Sequence, residues 1–151
     1  MAELKERLRA DLNAAMRARD RVRMRTLRMA LTSITNEEVA GTAARDLTDD
    51  EVVKVLTREA RKRREAAEAF SAAGRDEQAA AERAEGEVLA GYLPAQLSDD
   101  ELAALVAAAI AETGASGLPG MGQVMKTVTP RVAGRADGAR VAAEVRRRLS
   151  G

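Results

Sequence analysis

The chain has no cysteine, no histidine and no tryptophan, and only one phenylalanine (Phe70) and one tyrosine (Tyr92) in 151 residues. Without cysteine there is no disulfide and no thiolate nucleophile. Without histidine the usual general base and the usual zinc ligand are missing. So few aromatic rings leave little to stack on exposed bases. Long hydrophobic runs are lacking too. The longest uninterrupted apolar run, Leu102 to Ala111, falls well short of the ~20 residues a membrane span requires. The N-terminus, MAELKERLR, is charged at once and carries no hydrophobic signal core. These absences lead us to expect a soluble cytoplasmic protein with no membrane partner, no bound metal and no cofactor.

What is present is an Ala/Arg/Glu/Leu composition of strongly helical character. A chain this long can bury roughly 68–70% of its unfolded surface, enough for a real core. The net charge is only +1, but it is unevenly spread. Residues 1–47 carry ten basic and seven acidic groups, residues 48–93 eight and eleven, and residues 94–151 seven and six. The extreme window is Arg17 to Arg28, with arginine at 17, 19, 21, 23, 25 and 28 against Asp20 alone. Such a run reads equally as a solvated helix face or as a patch for an anionic partner.

Seven helices are legible. Leu4, Leu8, Leu12 and Met16 mark the first, and Met24, Leu27, Leu31 and Ile34 the second, which Gly41 closes. Thr48 and Glu51 form a capping box that opens the third, with a seam through Val53, Leu56, Ala60, Arg63, Ala67 and Phe70. Gly74 ends it, and Asp76 is the expected cap of the fourth, which stops before Pro94. A turn this short makes the two helices antiparallel neighbours. Arg63 lies eleven residues before Gly74 and Glu85 eleven after it, so the two come level, with Glu82 one turn away. This reads as a partly buried ion pair; the alternative is a carboxylate pair for acid/base chemistry.

After Pro94 the pattern restarts. LSDDELAALV (97–106) echoes LTDDEVVKVL (47–56), with a second capping box from Ser98 to Glu101. We expect an all-α protein with an N-terminal helical bundle over 1–93 and a small C-terminal three-helix subdomain over 97–151. The latter holds helices over Asp99–Thr113, about Met121–Val128, and a last one after Asp137 with Val141, Val145 and Leu149 inward. Six of the 11 glycines and two of the three prolines fall between Gly114 and Gly138. Beyond Gly117 the tail has seven basic residues and two acidic ones. GRADG (134–138) can be a phosphate cradle at a helix start, or a turn capped by Asp137 itself. Lys126, Arg131, Arg135 and Arg140 surround it as candidate phosphate contacts, with Arg17, Arg19, Arg21 and Arg25 a second set. Asp49, Asp50, Asp99 and Asp100 are explained as first-turn acids facing helix dipoles rather than as metal ligands.

The segments LRMALTSITNEEVA (27–40), LTDDEVVKVL (47–56), AGRDEQAAAERAEGEVLAGYLPAQLSDDEL (73–102) and GMGQVMKTVTPRVAGRADGARVAAEV (120–145) resemble the YqeY-like family. That family is related to the C-terminal tail domain of the B subunit of glutamine-dependent Asp/Glu-tRNA amidotransferase. The resemblance implies an all-helical fold and an association with tRNA amidation, with tRNA or a tRNA-processing protein as partner. It also brings an association with carbon–nitrogen ligase activity that uses glutamine as amide donor. The residues themselves do not supply that chemistry. Releasing ammonia from glutamine needs an activated nucleophile, and activating a tRNA-linked carboxylate needs a phosphate cradle and magnesium ligands. Lys126-Thr127 follows glycines without the spacing of a phosphate-binding loop. The expectation is therefore a non-catalytic helical module that binds tRNA or a translation partner. The alternatives are an amidotransferase component and a protein–protein adaptor without RNA contact. No catalytic residue is assigned, and nothing in the composition fixes an oligomeric state.

Overall fold

The computed structural model describes residues 2–151. Its elements, in order, are α1 (Glu3–Ala18), α2 (Arg21–Glu38), α3 (Asp49–Ala72), α4 (Asp76–Ala90), α5 (Asp99–Thr113), a 3-10 turn (Leu118–Gly120), α6 (Met121–Val132) and α7 (Gly138–Ser150). The protein is all-α, with no strand among the described residues. Two compact units divide at Leu93 and Pro94.

In the first unit α1–α2 and α3–α4 are two hairpins packed on each other. Leu8, Leu27, Ile34, Val52, Leu56 and Leu89 are fully or almost fully buried between them. Four such aliphatic burials already supply several kcal/mol, at about 1.5–3 kcal/mol each. Both halves of the Thr48/Glu51 capping box are formed. The seam of α3 runs through Val52, Val55, Leu56, Glu59, Arg63 and Ala67. Val53 and Ala60, expected inside, are half-buried at its edge, because α3 has neighbours on two sides and the centre of its stripe lies between them. Met16, also expected inside, is 45% exposed and Ala15 takes its place. The turn of Arg19 and Asp20 is only two residues long, and a small side chain there lets α1 and α2 close up beside it. Asp76 does not cap α4: the capping position falls on Arg75, whose side chain makes no cap bond, and Asp76 is the first helical residue.

In the second unit α5, α6 and α7 enclose Leu102, Val106, Val124, Val128, Val141 and Val145. The Ser98/Glu101 capping box is complete. Helix α6 enters at 95° to α5. A methyl group on Gly120 would lie 2.7 Å from the Ala115 Cβ, so this glycine permits the close approach that starts α6. Gly122 has open space around it and serves no packing purpose. Helix α6 continues a turn beyond Val128, through Pro130 to Val132. The proline sits in the last turn, where losing one backbone donor is tolerable, and the extension buries Val132. No single helix among the described residues is long and apolar enough to cross a membrane.

Candidate nucleic-acid interface

Every arginine of the expected site must choose between an acidic neighbour in the fold and solvent. In the second unit most have chosen the fold. Arg131, on α6, reaches Glu112 at the end of α5 at 2.6 Å. Arg140, on α7, donates to Asp99 at the start of α5 at 2.8 Å. Arg135 donates through Nε to the Ala95 carbonyl at 3.0 Å and lies 3.8 Å from Glu101. The backbone closes the same strap, since the Leu97 N–H donates to the Arg135 carbonyl at 2.8 Å. These three arginines tie the GRADG connection and its flanking helices to α5. Arg147 and Arg148 both bond Glu144, whose carboxyl their contacts hold below its ordinary pKa.

The GRADG segment is a turn. Ala133 and Gly134 have φ of +51° and +76°, and the Asp137 carboxylate accepts from the Ala139 N–H at 2.8 Å. That oxygen lies where a bound phosphate would sit. Lys126 and Arg146 are exposed and without an ion pair among the described residues.

In the first unit two arginines of the run are paired within the fold. Arg23 donates to the Tyr92 hydroxyl at 3.1 Å, and that hydroxyl donates to Asp11 at 2.5 Å. Burial and the Asp11 bond push the Tyr92 pKa up to about 12, and the Arg7 guanidinium sits 4.7 Å from the ring centroid. The chain's single tyrosine is thereby fixed in the core. Arg25 donates to Glu85 at 2.7 Å. A shallow groove of about 180 Å³ beside this network is lined by Asp11, Ala14, Ala15, Ala18, Asp20 and Arg23. Its carboxylates are already in use, Asp11 on Tyr92 and Asp20 on the Arg23 N–H.

Behind Arg25 lies the charged centre of the first unit. Arg63, 6% exposed, donates to Glu59 at 2.7 Å and to the Met29 sulfur at 3.3 Å. Its Nε is 3.5 Å from Glu85 and makes no hydrogen bond. Ser33 donates to Glu59 at 2.9 Å, and Lys62 lies 3.3 Å from the same carboxylate. Burial raises the Glu59 pKa, but the Ser33 bond and the Lys62 and Arg63 charges outweigh it and the carboxyl sits below its ordinary value. Glu82 is half-buried and takes no part in the cluster. Glu59, four residues before Arg63 and legible as its i,i+4 partner, and Arg25 from the neighbouring α2 complete the cluster; the spacing about Gly74 says nothing of Arg25.

Arg17, Arg19, Arg21 and Arg28 are exposed, and their side chains have no ion pair or hydrogen-bond partner among the described residues. Three of them stand at the α1–α2 turn, where Arg19 has φ of +56°. No group of three or more acidic residues is placed to hold a metal among the described residues. The Yqey-like protein family matches residues 5–149. No curated protein matches the chain.

Proposed function

The chain belongs to the Yqey-like protein family, and from that membership we propose that it is a non-catalytic helical module that binds tRNA through phosphate contacts. The family's relation to the tail domain of the amidotransferase B subunit supplies the ligand class. The observation that carries the reading is the set of exposed arginines at the α1–α2 turn and on α2 that no acid of the fold reaches. Recognition rests on shape and backbone phosphates, as for structured RNA generally, because Tyr92 is buried and no other ring but Phe70 exists to stack on bases. Electrostatic contacts of this kind need no catalytic group.

Recovery of the native protein from cell lysate, with and without RNase treatment, tests the reading. The expected result is co-purifying tRNA that RNase removes. Partners that persist unchanged after RNase, with no tRNA in the untreated sample, contradict it and favour a protein adaptor. The non-catalytic part is tested separately, with purified protein, glutamine, ATP, magnesium and mischarged Glu-tRNA or Asp-tRNA. No amidated product above background is expected, and turnover that survives removal of contaminating amidotransferase overturns it.

A further inference from the structure

We infer that the outer face of α2, continued over the α1–α2 turn, is the surface that meets the RNA backbone, and that Arg131, Arg135 and Arg140 of the second unit are not. This rests on the tRNA-binding reading and narrows it to one surface.

Helical geometry defines the face. The buried side of α2 is Thr26, Leu27, Ala30 and Ile34. Positions 21, 25, 28, 32, 35 and 36 lie opposite, spaced by three and four residues in one stripe. They are Arg21, Arg25, Arg28, Thr32, Thr35 and Asn36, all exposed. The stripe holds cations and hydroxyl or amide donors, and no acid occurs on α2 before Glu37. Arg25 is held by Glu85, which leaves Arg21 and Arg28 as its free charges. Arg17 and Arg19 extend it past the turn.

Two local features of this place run against helix stability. Helices α3, α4 and α5 open with two or three acids, and α1 with Glu3 and Glu6, where carboxylates favour the positive end of the dipole. Helix α2 is capped by Asp20 but opens with Arg21 and Arg23 and no acid in its first turn; α6 and α7 also open without an acid, but neither places two arginines there. Just before α2, an arginine occupies the left-handed conformation of Arg19, which glycine or asparagine fills without strain. Conflicts between sequence and local structure gather at functional sites. At the α1–α2 turn both features involve arginine, whereas Ala133, the other non-glycine residue at positive φ among the described residues, is uncharged.

The chemistry of the stripe favours phosphates over a protein partner. A protein interface has an apolar or aromatic centre, whereas here the centre is arginine and threonine, with Val22 and Met29 at its margin. The free charges of the stripe and turn are all arginine, whose planar fork suits phosphate oxygens. Hydroxyl and amide side chains beside arginine are the other common backbone contacts.

The test uses the full chain, a tRNA transcript and a polyglutamate peptide in fluorescence anisotropy across a salt series. One variant is Arg21→Ala/Arg28→Ala; its charge-matched comparator is Lys126→Ala/Arg146→Ala. The α2 variant is expected to lose about tenfold in tRNA affinity at low salt and to flatten the log K against log salt slope by about 1.5, two contacts' worth. The comparator keeps the wild-type slope. Melting separates this from a structural effect: Arg21→Ala/Arg28→Ala keeps or raises the midpoint, and Arg19→Gly raises it while weakening RNA binding. If the wild type binds tRNA and the α2 variant binds as well, the surface is misassigned and the tRNA reading stands. If the wild type binds polyglutamate through this stripe and not tRNA, or binds neither, both fall.

Discussion

The Arg63 guanidinium and the Glu85 carboxylate lie 3.5 Å apart across the α3–α4 hairpin, each eleven residues from Gly74. Glu59 on the same helix completes the neutralisation at 2.7 Å, and all three side chains are more than nine-tenths buried. Arg63 thus bridges two buried carboxylates, each of which has a further partner at the rim, Arg25 on Glu85 and Lys62 with Ser33 on Glu59. Removing it takes away the one cation that is itself buried with them. Arg63→Ala is expected to destabilise the first unit by about 3–5 kcal/mol, measured by urea unfolding followed by circular dichroism. A loss below 1 kcal/mol would mean that the cluster is hydrated and loosely held.

Acid should erode stability in a defined window. Glu51 is held down to a pKa of about 2 by its Arg45 hydrogen bond and by the Thr48 N–H, and Glu59 and Glu101 are also lowered. Groups whose folded pKa is depressed stabilise fully above their unfolded pKa, near 4.5, and lose that stabilisation as pH falls towards the folded value. Unfolding midpoints are thus expected to stay flat from neutrality to about pH 5 and to drop between about pH 4.5 and 2. Glu51→Gln should make that drop shallower.

Two glycines should respond in opposite senses. Gly86 lies within α4, and a Cβ there would meet the Arg63 Cβ at an ordinary 3.8 Å. Gly86→Ala is expected to stabilise by about 0.5–1 kcal/mol through helix propensity. At Gly120 the added Cβ falls 2.7 Å from the Ala115 Cβ, so Gly120→Ala should destabilise by about 1–3 kcal/mol. Thermal melts of the two variants beside wild type check both.

Arg131, Arg135 and Arg140 are expected to behave as struts. Their joint replacement by alanine removes contacts to Glu112, Glu101, Asp99 and the Ala95 carbonyl. The partners are largely exposed, so the combined loss should be about 1–2 kcal/mol. Hydrogen exchange should locate it in 94–151, with amides of the first unit unchanged.

The sequence makes the helices legible where local chemistry alone decides. Thr48 with Glu51 and Ser98 with Glu101 announce their capping boxes because every participant lies within four residues. Val141, Val145 and Leu149 declare an inner face by spacing alone. Packing partners are less legible. Val53 reads as core until α3 is found to face two neighbours, and Met16 until the tightness of the Arg19–Asp20 turn is seen. The candidate site suffers most. An arginine in sequence gives no sign of whether an acid will reach it, and the acids that hold Arg131, Arg135 and Arg140 lie 19 to 41 positions away. What the sequence does carry is the basic run Arg17–Arg28, opposed by Asp20 alone.

The most direct test of the account is wild-type binding to a tRNA transcript, followed by anisotropy from low to physiological salt. Four free arginines at the turn and on α2 imply about four phosphate contacts, hence a log–log slope of roughly −3. A steep, log-linear loss of affinity of that size is the expected result. Absence of measurable binding at low salt would contradict the account outright.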